Sequence, residues 1–402
     1  MSYIPLHKIY YKQPDIYETE YITRFSAPST MHFPIEIKQY GRNKSYPSFF
    51  CYTKDISLLM QNIYRKYIDL SLLNATIPHI MRRQFILSCI TDEIKSTNDI
   101  EGVRSTKREI RNIIDNIPDT ERPSRLRSIV DKYLNILDGK NFYFHTCEDL
   151  RNFYDEFALA EVISENPNNA PDGKIFRASN VDIANASQKT IHQGVFPEDK
   201  LIEYMNVALT ELNNENIPTL IRIALFHYLF SYIHPFYDGN GRTSRFIASY
   251  YLTKELDETV ALRLSVIIKK NKSKYYSLFT STDSELNRGD LTSFVIGFLE
   301  FVLEACEDTY ETLQKKNQQR NKFVQILDNM KIGDNKTQII CRHLLDAALF
   351  FGQGITIQQI IEYTQLSRVT VQKRLDDLPK EYLITSKTSK PYRYKLNMLL
   401  FK

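Results

Sequence analysis

Residues 234–245 read His-Pro-Phe-Tyr-Asp-Gly-Asn-Gly-Arg-Thr-Ser-Arg. The segment before them, Pro218 to Ile233, carries Leu220, Ile223, Leu225, Phe226, Leu229 and Phe230, and its spacing predicts a strongly apolar helix. Pro235 fixes the backbone as it leaves that helix. Gly239 and Gly241 open backbone angles closed to other residues, so that successive N–H groups can turn toward one anion. Helix is expected to resume at Arg242, which adds the positive end of its dipole to the same spot. Arg242 and Arg245, spaced i,i+3, share a face from which two guanidiniums can fork onto successive phosphates. Asp238 beside this cradle is a hard oxygen ligand suited to a phosphate-bound magnesium. His234 enters from the other side and can take a proton from an attacking hydroxyl. Arginines in a first helical turn run against the dipole, so a merely structural turn gives no reason for them. The parts are those of phosphate chemistry.

Around this segment the chain reads as mainly helical. Residues 1 to about 50 are rich in Tyr, Pro and Ile with little periodicity, and read as an extended arm or short strands. From Asp55 the spacing turns helical, with Leu58, Leu59, Ile63 and Tyr67 on one face. Further helices are expected from about Ile77 to Ser96 and from Thr106 to Ile114. Pro118 and Pro123 punctuate a link to one holding Leu126, Ile129, Val130, Leu134 and Leu137. Residues 173–198 alternate instead, and read as a short β-hairpin inserted between helices. Helices near 198–213, 271–280 and 290–318 complete the body. From about Lys336 a separate pattern begins. Helices at 337–350 and 356–363, a Gln365-Leu-Ser turn, a helix Arg368 to Leu378 with Val369, Val371 and Leu375 inward, and a final hairpin make a winged-helix order.

Composition narrows the class. The chain has 402 residues, 43% hydrophobic and 25% charged, enough for two or three domains with full cores. No apolar run is long enough to span a membrane and the Met-Ser-Tyr start lacks a signal-peptide profile, so a cytoplasmic protein without membrane contact is expected. Cys51, Cys89, Cys147, Cys306 and Cys341 lie far apart and form no C-x-x-C pair, which argues against a disulfide framework or zinc site. Net charge is +4, but residues 311–402 hold 16 Lys and Arg against 8 Asp and Glu. That basic excess points to nucleic acid at the C-terminal end.

Residues 234–245 match, at every defined position, the H-P-F-x-[DE]-G-N-G-R-x-x-R signature of the Fic family, and the chain resembles that family over roughly residues 80–310. The resemblance implies a helical Fic core with a small β-hairpin flap, and an activity that transfers AMP from ATP, with Mg2+, to a Ser, Thr or Tyr hydroxyl of a target protein. It makes His234 the general base and Asp238 the metal ligand. Gly239, Asn240, Gly241 and Arg242 become the holders of the α and β phosphates, with Thr243 and Ser244 in the same nucleotide-binding turn and Arg245 reaching the γ-phosphate. The hairpin at about 181–196, with Lys189, Thr190, Ile191 and His192, becomes the flap that clamps the target segment. Lys272-Ser-Lys-Tyr-Tyr276 and Asn287-Arg-Gly-Asp290 resemble the adenosine-pocket segments, with Tyr275, Tyr276 and Asn287 touching base and ribose. Thr97-Asn98-Asp99-Ile100-Glu101-Gly102 matches the family's [ST]-x-x-x-E-[GN] inhibitory motif, in which the Glu binds the second motif Arg, here Arg245. Thr97 and Glu101 are i,i+4 on one helix and Gly102 fits its C-cap.

The expected layout is an N-terminal arm and helices over 1–80, a Fic domain over 81–318 with its inhibitory helix at about 92–102, and a winged-helix domain over 319–402. The expected activity is an autoinhibited protein adenylyltransferase acting on a target protein or on itself. Two alternatives stay open: a deadenylylase that uses Glu101, and a DNA-binding regulator whose Fic domain senses nucleotide. Within residues 355–396, Arg368, Gln372 and Lys373 could reach DNA from the helix, and Lys387, Lys390, Arg393 and Lys395 from the wing. A second copy of the chain is a further expected partner.

Overall fold

The helix Thr219–Ile233 is apolar around its whole circumference, and twelve of its fifteen residues are buried. A helix with no polar face is stable only when covered on all sides. In the computed structural model it packs between the helices Glu198–Leu212 and Asn240–Glu255. The structure describes residues 3–115, 125–184, 188–351, 354–386 and 391–401, which leaves the link read around Pro118 and Pro123 outside it. The fold is mainly α-helical, with a few small antiparallel sheets, and divides into two compact units. One unit holds the chain up to Tyr67 with Ile90–Cys306; the other joins Ile68–Cys89 to the residues from Glu307 onward.

In the first unit the helix Asn240–Glu255 begins two residues earlier than the expected Arg242. Its Phe246 is fully buried, with the rings of Tyr133, Phe142, Phe153 and Phe157 at centroid distances of 4.9, 5.4, 4.9 and 4.9 Å. Aromatic edges and faces meeting at these distances make a stiff base for the motif helix. Phe153 and Phe157 come from an element that sequence periodicity missed. Cys147–Tyr154, a π-helical turn Asp155–Leu159 and Ala160–Glu165 run on as one helical segment, opened by a capping box between Thr146 and Asp149.

The N-terminal fifty residues differ from the expected arm. Leu6–Lys12 and Pro14–Phe25 are helices, the second opened by Pro14 at a position that needs no N–H. They are held by few apolar contacts, Leu6, Ile9 and Tyr17, which is why no periodicity announced them. An antiparallel ribbon, Thr30–Lys38 with Ser45–Cys51, follows, its register shifting between Phe33 and Glu36. In the helix Lys54–Ala75 the buried face is Ile56, Ile63 and Leu70, and Leu58 is exposed, contrary to the expected face. The helix His79–Glu101 joins the stretch expected from Ile77 to Ser96 and the expected inhibitory helix at about 92–102 into one, and stops at Gly102, whose φ of +78° suits a glycine cap. The inserted hairpin pairs Asp182–Ala184 with Thr190–Gln193.

The second unit has its own core of Ile340, Leu344, Leu345, Ile360, Val371, Leu375 and Leu396. It contains the helices Asn335–Asp346, Ile357–Thr364 and Arg368–Asp376, and a three-stranded sheet in which Arg393–Leu396 lies between Ile355–Thr356 and Leu383–Ser386. The first of these strands was not anticipated. Val369, expected inward, is 79% exposed. Val371 and Leu375, one turn apart, form the inward face of that helix, and Val369 lies well round the barrel from them. Lys387 and Lys390 lie outside the described residues. Among the described residues no helix is long and apolar enough to cross a membrane.

Candidate active site

His234 ends the apolar helix in the left-handed region, at φ 55° and ψ 66°, with its N–H bonded to the Phe230 carbonyl at 2.9 Å. A buried asparagine closes the loop that follows. Asn240 Oδ1 accepts from the Phe236 N–H at 3.0 Å and its Nδ2 donates to the Phe236 carbonyl at 2.7 Å. The Tyr154 ring stacks on Phe236 at 3.6 Å, and its hydroxyl donates to the Asp238 carbonyl at 3.0 Å. At Gly239, with φ of +78°, a Cβ would press on that ring. Thr243 and Ser244 donate their hydroxyls to the Gly239 and Gly241 carbonyls at 2.9 and 3.2 Å, so both brace the turn from below. Asn240→Ala would strand a buried N–H and C=O together, and a loss of about 1–3 kcal/mol in urea unfolding is expected. A loss under about 0.5 kcal/mol would mean that the loop holds without the staple.

Both motif arginines are buried. Arg242 Nη1 donates to Glu161, itself buried, while Asp238 Oδ1 stands 3.9 Å from Nη2. Arg242 Nε and Nη2 have no hydrogen-bond partner among the described residues. Buried donors without a protein acceptor are rare and call for a partner from outside the chain, water or ligand. Arg245 is occupied. Its Nε donates to Thr97 Oγ1 at 2.9 Å, and Nη2 donates to the Thr97 carbonyl at 3.3 Å and to Glu101 Oε1 at 2.6 Å. Burial works against the Glu101 charge, but the Arg245 guanidinium, with Arg242 and His234 beyond it, holds the carboxyl below its usual range. A Cβ on Gly241 would collide with Glu101 Oε1, so the glycine also makes room for this carboxylate. The end of the Glu101 helix is pinned by Lys272 Nζ on the Ile100 carbonyl at 2.8 Å and by Lys269 on Asp99 at 2.6 Å.

His234 Nδ1 lies 3.3 Å from the Ser231 carbonyl. A carbonyl can only accept, so this contact puts the ring proton on Nδ1 and leaves Nε2 with a bare lone pair. Burial first, then the neighbouring His192, pulls its pKa down to about 4. His192 is shifted the other way. Burial opposes its charge, but Asp283, 3.4 Å from Nδ1, and the Tyr232 carbonyl, 2.7 Å from Nε2, raise it. Of the other hairpin residues Lys189 is exposed, while Thr190 and Ile191 are half-buried.

The three residues expected at the adenosine are not gathered on one open face. Tyr275 is buried with its hydroxyl 2.8 Å from His227 Nε2, near Arg245. Tyr276, partly exposed, donates to the Ile100 carbonyl at 3.4 Å, against the helix that carries Glu101. Asn287 is buried and donates to the Thr282 and Asp290 carbonyls at 3.2 and 2.7 Å, bracing its own turn. Glu161, Tyr154 and Arg177 touch the motif and were not read from the sequence. Only the Thr146–Asp149 capping box gave a local signal for the helix that supplies the first two.

A helical domain thus brings a histidine-capped helix, a glycine turn and two buried arginines together within one twelve-residue segment. The chain matches the Fic/DOC family model over residues 145–252. It is 37% identical over 103 residues to the protein adenylyltransferase Fic of Drosophila erecta and 36% identical over 103 residues to that of Drosophila melanogaster. The match takes in 25% of this chain and only 18% of each of those proteins. The crystal structure of a Fic family protein from Desulfovibrio desulfuricans G20 shares the fold over 86% of this chain and 97% of that one, with a TM-score of 0.52 and 20% identity.

Proposed function

We propose that the chain is an autoinhibited protein adenylyltransferase that moves AMP from ATP to a hydroxyl of a target protein or of itself. The observation that carries this reading is His234 Nδ1 turned to the Ser231 carbonyl at 3.3 Å, which frees Nε2 for a proton, on the segment where buried Arg242 Nε and Nη2 have no hydrogen-bond partner among the described residues. In the step proposed, the acceptor oxygen attacks the α-phosphorus and its proton goes to His234 Nε2. The new O–P bond forms as the bond to the β-phosphate oxygen breaks, and pyrophosphate leaves. Gly239, Asn240, Gly241 and Arg242 would bind the α and β phosphates, and Arg245 the γ-phosphate. Asp238, whose side chain is 40% exposed, fits a single hard-oxygen ligand, and among the described residues no cluster of acids or histidines could hold a metal unaided. A magnesium there would rest on Asp238 and phosphate oxygens and would neutralise charge on the leaving group. Of the three residues expected at the adenosine, the partly exposed Tyr276 is the one proposed to meet the nucleotide, with the buried Tyr275 and Asn287 supporting their own segments. The 182–193 hairpin would align the target segment as an added strand.

Glu101 holds the guanidinium that a γ-phosphate oxygen would otherwise take, which is the proposed inhibition. The same carboxyl, held below its usual range by Arg245 against the pull of burial, keeps 29% of its side-chain surface exposed, which favours a second use in placing a water that removes AMP. Protein incubated with magnesium and α-labelled ATP, with a His234→Ala control, separates enzyme from nucleotide sensor. Release of AMP from a pre-labelled chain, lost in Glu101→Gln, would favour removal. For the second unit we propose a winged helix, supported by its element order, that contacts DNA through Arg368, Gln372 and Lys373. Arg368, Val369, Gln372 and Lys373 stand together on the exposed face of one short helix. A gel shift whose affinity falls steeply between 50 and 200 mM salt, on the order of tenfold or more, is the expected result, and a salt-independent or absent shift overturns it.

A further inference from the structure

Arg177 is fully buried, and among the described residues it donates to backbone carbonyls. Nε donates to the His234 carbonyl at 2.9 Å, Nη1 to Ser179 at 2.6 Å, and Nη2 to Val195 at 2.8 Å and Ile233 at 3.4 Å. Burying a guanidinium on neutral acceptors is costly, so the fork is kept for the geometry it imposes. Two elements meet on it. One is the left-handed end of the apolar helix at Ile233 and His234. The other is the exit of the 182–193 hairpin, where Gly194 N–H bonds the Val181 carbonyl at 3.0 Å and Val195 N–H bonds the Ile233 carbonyl at 3.0 Å. A Cβ on Gly194 would collide with Arg177 Nη2, so the hairpin exit is shaped around this side chain.

The loop that carries Arg177 is itself held firmly. Glu198 accepts the N–H groups of Lys174, Ile175 and Phe176 at 2.8, 2.9 and 2.9 Å. Asp172 accepts the Ala178 N–H at 2.8 Å and the Tyr237 hydroxyl at 2.8 Å, and the Ser179 N–H donates to that same hydroxyl at 3.0 Å. Phe176 packs edge-on against Phe236, with ring centroids 5.4 Å apart. The phosphate side of the motif rests on other groups: Phe236 for Asn240, Glu161 for Arg242 and Thr97 for Arg245.

We infer that Arg177 is a positioning residue that sets His234 and the hairpin strand in one fixed relation, so that the acceptor hydroxyl delivered along the strand meets Nε2. The inference rests on the transfer reaction proposed above. It predicts a split between rate and nucleotide binding, because Arg177 touches the base and the strand but not the cradle. A misplacement on the order of 1 Å between base and acceptor costs up to about a hundredfold in rate.

The test uses the full chain in the Glu101→Gly background, adding Arg177→Met or Arg177→Lys. Single-turnover AMP transfer is expected to fall roughly ten- to a hundredfold in Arg177→Met. Calorimetric affinity for magnesium with a non-hydrolysable ATP analogue is expected to stay within about twofold. Lysine should recover part of the rate, since an ammonium reaches one or two of the carbonyls without the planar fork. A rate within twofold of the parent overturns the inference, as does a parallel loss of rate and affinity. If Arg177→Met does not fold, Gly194→Ala displaces the fork and is read by the same two measurements. If the parent transfers no AMP at all, the adenylyltransferase reading fails instead. Histidine NMR then tests the positioning alone, through movement of the His234 and His192 signals in Arg177→Lys, and unmoved signals overturn it.

Discussion

Glu101→Gly is expected to label itself with AMP about 5–150-fold faster than the unmodified sequence at the same ATP concentration, the range of an ordinary coupling free energy between two competing ligands. Arg245 is buried, and its carboxylate partner at ion-pair distance among the described residues is Glu101 at 2.6 Å. Nε is already committed to Thr97, so the second nitrogen is the point of contest. With glycine at 101 that nitrogen keeps only the Thr97 carbonyl at 3.3 Å, and an anion of the nucleotide becomes the better partner. The same change should enlarge the rise in thermal midpoint that magnesium and ATP produce, because tighter binding to the folded state stabilises it by mass action. Equal labelling by both sequences would end the inhibition hypothesis. Faster labelling without a larger thermal shift would place the effect of Glu101 on the geometry of the bound nucleotide rather than on its affinity.

Much of this contest was legible in the sequence. The segment 234–245 announces itself because its chemistry is packed into consecutive residues, where turn angles, charges and helix start are all local. Thr97 and Glu101 were legible only through the resemblance to the family's inhibitory motif, and their meeting with Arg245 across 148 and 144 positions is a tertiary fact. Glu161 and Arg177 were not legible. Each is a single charged residue that in sequence looks like any solvated one, and only the fold removes it from water and sets it against the motif. The N-terminal helices failed for the opposite reason. Leu6, Ile9 and Tyr17 are too few to make a period, and tertiary packing supplied what pattern did not. Val369 shows the limit of counting apolar residues: it stands two positions before Val371, a spacing that puts the two on opposite sides of a helix, so only one of them could face inward.

His234→Ala in the Glu101→Gly background is expected to lower transfer by roughly 10²–10⁴-fold, the usual span for one positioned base, with affinity for magnesium and ATP little changed. The cradle does not depend on the imidazole, because Asn240, Glu161 and Thr97 hold its members. Burial, then His192, lowers the His234 pKa to about 4, so the base is ready well below neutrality. Transfer should therefore change little from pH 7.5 down to about 5.5, and its acid limb should fall nearer 4 than the ordinary histidine value of 6.5. Stability carries the same sign. The unfolded chain binds the His234 proton near pH 6.5 and the folded chain only near 4, so stability is full above 6.5 and is lost as pH falls through that window. His227, drawn down to about 3 by burial and by Arg245, adds in the same direction. His192 opposes both, since its raised pKa gives stability that is lost as pH rises through the folded value. The His234 share predicts a urea midpoint that falls less between pH 7 and pH 5 in His234→Ala than in the unmodified sequence. An acid limb near 6.5 in the active background would mean that some other group removes the proton, and label undiminished in His234→Ala would remove the base from the mechanism altogether.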